Sequence, residues 1–173
     1  QDPGTGLHAF DRQDITILTI PGQNAAEYLA LGMGYCDGRE DCFFVADGPG
    51  DTDDDLVVAP ADAKDFVQGL PTRSKNAAMF YPWLEVSDPV GVGRNPKRWI
   101  PPSGHVAGIF ARTDVTRGVW KAPAGIEAVV TGAVGLQYSL IDREQDLLNP
   151  VGLNCIRQFP GTGIVSWGAR TLS

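Results

Sequence analysis

Several groups of residues in this chain have types and spacings that bear on chemistry. Ser103, His105 and Asp114 include a hydroxyl, an imidazole and a carboxylate, the ingredients of a nucleophile, a base and an orienting acid. Ser103, however, stands where a helix begins and reads better as its N-cap, which places His105 in the first turn. The second histidine, His8, lies in the N-terminal segment. Ser166, within Gly163-Ile164-Val165-Ser166-Trp167-Gly168, falls on a strand and not at the strand-to-helix elbow of a hydrolase nucleophile. Cys36 and Cys42 have the spacing of half a zinc site but lack a second pair and a nearby histidine. Asp51, Asp53 and Asp55 alternate like the opening of a calcium loop. Its sixth position is Leu56 where glycine is needed, and its twelfth is Asp62 where glutamate is needed, so the stretch reads as a solvated acidic loop.

Phosphate-binding signatures are missing as well. The chain contains no G-x-x-x-x-G-K-[ST], and Gly32, Gly34 and Gly38 fall inside and after a helix, not between a strand and a helix. No catalytic, cofactor-binding or metal-ligating residue is assigned, and the chain reads as something other than an enzyme.

The elements around these residues follow from periodicity. Ile15 to Ile20 is a β-prone run stopped by Pro21-Gly22. Ala25, Leu29, Met33 and Cys36 recur at helical spacing behind Asn24, a possible N-cap. Cys42 to Ala46 is a second buried strand, Ala63 to Leu70 a short amphipathic helix, and Ala77 to Tyr81 a third strand ended by Pro82. Residues 87–102, rich in Pro, Gly and basic side chains, read as a loop before the helix over 103–117. Ile126 to Thr131 reads as a strand, and Asp142 as the cap of a helix that Pro150 ends. Strands over 154–159 and 164–169, joined at Gly161-Thr162-Gly163, finish the chain. This alternation predicts an α/β domain: a layered, largely parallel sheet with helices on both faces.

The 173 residues are most simply one domain, large enough to bury roughly 70% of the unfolded surface. No run approaches the ~20 apolar residues of a membrane span, and the first residues lack the charged and apolar regions of a signal peptide. Three cysteines argue against a disulfide framework and for a reducing compartment. Net charge is −7, which disfavours nucleic acid as a partner. Residues 1–70 carry three basic and fourteen acidic side chains, whereas residues 71–173 carry eleven basic and seven acidic. Folding either interleaves the two halves, the simpler outcome, or leaves an acidic face and a basic face suited to head-to-tail self-association.

Three long, irregular blocks narrow this picture. Met79 to Pro89 (MFYPWLEVSDP), Pro101 to Gly125 (PPSGHVAGIFARTDVTRGVWKAPAG) and Leu147 to Ser173 (LLNPVGLNCIRQFPGTGIVSWGARTLS) strongly resemble the contractile tail sheath proteins of bacteriophages. R-type bacteriocins and contractile injection systems share that family. Weaker matches at LHAFDRQDITILTIPG and DCFFVADGPG extend the likeness over nearly the whole chain.

The resemblance implies a subtilisin-like core domain without cofactor. It implies a structural subunit that stacks in rings around an inner tube, starts from a baseplate and contracts to drive the tube through a bacterial envelope. The implied partners are other sheath subunits, the inner tail tube protein and the baseplate, with no direct contact to nucleic acid and no membrane insertion. The implied location is the virion, after assembly in the host bacterial cytoplasm. The alternative on the same sheet is a subtilisin-like or other serine hydrolase. Set against the family pattern, residues 1–173 correspond to a single core domain, with the N-terminal arm and C-terminal domain lying outside this sequence. Trp120 is expected to pack in its own core in preference to a subunit boundary. Arg112 and Arg117 suit the helix C-terminus or a neighbouring subunit. Arg157 and Arg170, on the two last strands, are placed to meet Asp114 or Asp142, within or between subunits.

Overall fold

A computed structural model describes residues 4–52, 57–94 and 96–173. A 3-10 turn over Gly6–Phe10 leads to strand β1 (Ile17–Leu18), helix α1 (Ala26–Arg39), β2 (Phe43–Asp47), α2 (Pro60–Gln68), β3 (Ala77–Tyr81), β4 (Leu84–Ser87) and β5 (Lys97–Ile100). Helix α3 (Ser103–Thr116), β6 (Ala133–Leu136), α4 (Asp142–Leu148), a second 3-10 turn (Asn149–Val151), β7 (Leu153–Phe159) and β8 (Gly163–Ser166) complete the order. The main sheet runs β1-β2-β3-β7-β8. Its first four strands are parallel, and β8 returns antiparallel to β7 through the Gly161–Gly163 turn. The result is a mixed α/β fold around a mostly parallel sheet, as the alternation of elements predicts.

The central strands explain themselves. FFVAD and AAMFY are near-continuous apolar runs, the pattern of parallel strands without a solvated face, and all of β3 is buried. Alternation along them sorts the core into two clusters. Phe44, Ala46, Ala77, Met79 and Tyr81 pack with Leu29, Met33 and Cys36 of α1, Ala63 and Val67 of α2, and Leu148 of α4. Val45, Ala78 and Phe80 pack instead with Val106 and Ile109 of α3. Gly32 lets α1 approach closely: a β-carbon there would fall 2.5 Å from the Phe44 ring.

Several local expectations give way to longer-range partners. α1 starts at Ala26 behind Ala25, not at Asn24, whose side-chain amide donates to the Gly50 carbonyl (3.1 Å). The expected 87–102 loop contains β5, which joins β4 and β6 in an antiparallel sheet ordered β5-β4-β6. This sheet packs in the α3 cluster through Leu84, Ile100 and Leu136. The strand expected at 126–131 shrinks to one bridge, Val129 to Val165, made by the Val130 amide on the Ile164 carbonyl (2.8 Å) and the Ser166 amide on the Ala128 carbonyl (2.9 Å), while Arg112 takes the Val129 carbonyl (2.8 Å).

Asp142 is not the cap of α4. Ile141 occupies that position, and the Glu144 carboxylate accepts its amide (3.0 Å). β1 is shorter than the 15–20 run, and β8 stops at Ser166. Arg170 therefore lies beyond the last strand, where the Asn154 side chain both donates to its carbonyl and accepts its amide, each at 2.8 Å. Leu172 follows, fully buried, with its amide on the Ala77 carbonyl (2.9 Å).

Candidate functional site

Asp47, which the sequence pattern places at the start of the solvated acidic loop running to Asp55, is instead the last residue of β2 and a buried polar node. Its carboxylate, 1% exposed, accepts the Gly22 amide (3.0 Å), the Ser103 amide (2.7 Å) and the Ser103 hydroxyl (2.9 Å). Ser103 is thus the first residue of α3 and not its N-cap; the cap position belongs to Pro102, which has no side-chain donor or acceptor. The carboxylate arrives from 56 residues away and faces the positive end of the helix dipole. Burial pushes the Asp47 carboxyl above its ordinary range, against the pull of the Gly22 and Ser103 bonds. The arrangement is a brace between a strand end, a turn and a helix start.

The catalytic candidates do not assemble. Ser103 is fully buried against Asp47, and Asp114 lies near the other end of α3, about 16 Å away at 1.5 Å per residue. His105 is drawn below its ordinary pKa by burial and faces Gly132. Ser166 is fully buried, and its hydroxyl has no hydrogen-bond partner among the described residues. His8 pairs with Asp11 at the surface (3.1 Å). The Cys42 thiol donates to Cys36 Sγ at 3.0 Å, and Cys155 is buried with its thiol pushed up to about 12. Among the described residues no group of three or more metal-ligating side chains comes together. Asp53, Asp55 and Leu56 of the acidic loop lie outside the described residues, while the Asp51 carbonyl accepts from Gln137 (2.9 Å).

Arg112, Arg117 and Arg157 bond within the chain. Arg112 and Arg117 fasten the 127–131 segment to α3: Arg112 through the Val129 carbonyl, Arg117 through Glu127 (3.1 Å). Arg157 meets Asp142 (2.8 Å) and Gln145 (2.9 Å), with its guanidinium over the Phe159 ring.

Several large apolar side chains are exposed at the surface. Trp120 is 84% exposed, contrary to the expectation that it fills the core. Its ring lies over Gly118, whose φ of +99° turns the chain so that the indole covers a backbone without a side chain. Val115, Val119 and Ile126, all exposed, belong to the same stretch of chain. A groove of about 690 Å³ lies between the first 3-10 turn and α1, walled by Leu7, Phe10, Ile20, Tyr28, Leu31 and Tyr35. Arg39 holds its two sides together by donating to the Phe10 carbonyl (2.7 Å), the Gln13 carbonyl (3.1 Å) and Tyr35 (3.2 Å).

Comparisons with known proteins agree on one family. The model of the phage tail sheath protein central domain matches residues 4–172. A tail sheath protein of Vibrio phage KVP40 is 35% identical over 75 residues, covering 43% of this chain and 11% of the relative. That of Burkholderia phage BcepMu is 32% identical over 104 residues, covering 58% of this chain and 21% of the relative. The chain therefore spans between about a tenth and a fifth of the curated relatives it matches. Among solved structures, the cryo-EM baseplate of the anti-feeding prophage aligns over 99% of this chain and 42% of its own, at TM-score 0.70 and 29% identity. The contracted helical sheath of the same prophage aligns over 91% of this chain and 39% of its own, at TM-score 0.62 and 29% identity.

Proposed function

The chain belongs to the phage tail sheath family, and we propose that it is a structural subunit of a contractile sheath. In this reading copies stack as rings around an inner tube, dock on a baseplate and contract to drive the tube through the host envelope. The observation that carries it is the match of residues 4–172 to the sheath central domain, together with the alignment of 91% of the chain on a sheath in its contracted state. The division of the core into an α1/α2/α4 cluster and an α3 cluster supports the finer architecture, a subtilisin-like layered domain with helices on both faces of the sheet.

We assign the chain no catalytic role. Asp47 and Ser103, a buried acid and a buried hydroxyl, bond each other and hold α3 in place, and no hydrogen bond joins His105 to either among the described residues. Its working surface is the one shared with other sheath subunits, the tube and the baseplate, without nucleic acid. No described helix is long and apolar enough to cross a membrane. The location is the virion, after assembly in the host cytoplasm. Electron microscopy of the full chain tests the assignment: tubular polymers of stacked rings are expected, and a product that stays monomeric in every assembly condition refutes it. A serine-directed reagent is expected to label nothing.

A further inference from the structure

Two apolar features lie open at the surface: the exposed Trp120 with Val115 and Val119, and the groove beside α1. We propose that they are the two halves of one head-to-tail contact, in which Trp120 of one copy enters the groove between the 3-10 turn and α1 of the next copy. The proposal rests on the sheath reading above and assigns its surface.

Four observations carry it. An exposed tryptophan held on a glycine-turned loop has the chemistry of an interface anchor, since burying one ring removes about 150–250 Å² from water. The groove is already formed, because Arg39 ties its two walls, and its size lies in the ~300–1,000 Å³ range that accepts a compact organic group. The two halves sit on different sides of the sheet. α1 packs with Phe44, Ala46, Met79 and Tyr81, whereas α3, which leads to Trp120, packs with the alternate residues Val45, Ala78 and Phe80. A contact between opposite sides does not close a two-fold dimer; it runs head to tail from copy to copy, within a ring or along a stack.

Charge gives the fourth. Residues 94–121, which include β5 and α3, carry six basic side chains and one acidic, while residues 4–42, which include the groove, carry six acidic and two basic. Apposed potentials of this kind orient the encounter and disfavour like-to-like pairing.

The native cysteines are all buried, so engineered thiols report the contact without interference. Full-length chain carrying Trp120→Cys is mixed with full-length chain carrying Tyr28→Cys under assembly conditions and oxidised with diamide. The mixture is expected to give a cross-linked pair, and the double variant a ladder, while each single variant alone gives little. Predominant Trp120→Cys homodimers, or tubes that form without the mixed cross-link, would overturn the proposal.

In parallel, Trp120→Glu and Leu31→Glu are each expected to raise the concentration needed for polymerisation at least about tenfold, with the melting temperature of the unassembled Trp120→Glu chain unchanged. If Leu31→Glu blocks assembly while Trp120→Glu assembles normally, another segment fills the groove and the proposal fails. If the parent chain makes no tubes at all, the sheath reading fails instead, and the cross-link at high protein concentration still decides the contact.

Discussion

Replacing Asp47 by alanine tests how the domain fixes α3. The substitution strands three donors: the Gly22 amide, the Ser103 amide and the Ser103 hydroxyl. A buried donor left unpaired costs about 1–3 kcal/mol. Gly22 is half-buried and can recruit water, so the two Ser103 groups dominate the loss. Removing a carboxylate that burial already disfavours returns part of it. The expected net loss is about 2–4 kcal/mol, a fall in melting temperature of about 4–16 °C for a domain of this size. Urea denaturation of both proteins at matched m-value measures it.

The pH dependence supplies a second check. The folded-state pKa of Asp47 lies above its unfolded value, so its contribution is fully present below the unfolded pKa and is lost as pH rises through the folded one. Asp47→Asn keeps the Oδ1 acceptor of the Ser103 amide, loses the Oδ2 acceptor shared by the Gly22 amide and the Ser103 hydroxyl, and cannot titrate. The advantage of the parent chain over Asp47→Asn should therefore shrink as pH rises from below 3.8 toward neutrality. An alanine variant within about 1 kcal/mol of the parent refutes the brace, whereas a gap that widens with rising pH refutes the dominance of burial over the Gly22 and Ser103 bonds.

Other positions give equally direct expectations. Gly32→Ala removes a helix glycine, a gain of about 1 kcal/mol, but drives a methyl into the buried Phe44 ring; overpacking should win, with a net loss of about 1–2 kcal/mol by denaturation. Asn154→Ala breaks both bonds to the Arg170 backbone in a fully buried setting and should cost about 2–4 kcal/mol. Hydrogen exchange should then quicken first in residues 168–172. Cys36, Cys42 and Cys155 are buried, and burial holds the Cys36 and Cys155 thiols above their ordinary pKa, so a thiol reagent such as DTNB should react with the native chain only at the rate of unfolding.

Legibility in the sequence followed the range of the interactions. Phe43 to Asp47 and Ala77 to Tyr81 declared themselves because parallel strands buried throughout need unbroken apolar runs. The helices over 26–39 and 103–116 showed in their periodicity. β4, β5 and β6 did not, since each is four residues long and stabilised only by its neighbours. The surface was read in reverse at Trp120: an aromatic among Gly, Lys and Pro carries the same composition whether it faces the core or solvent. An exposed ring stacked on Gly118 is visible only once the backbone turns there.

By itself, the sequence determined the family, the α/β class and the absence of familiar phosphate-binding and nucleophile-elbow motifs, because each is written in contiguous residues. Tertiary structure alone decided that Asp47 caps a helix 56 residues away and that Asn154 grips the backbone of Arg170. It also decided that the groove-bearing α1 and the helix leading to Trp120 pack with alternate residues of the same strands. Local propensity fixes which element a residue joins. Which buried donor it must satisfy, and which side of the sheet it meets, follow from packing between segments far apart in the chain.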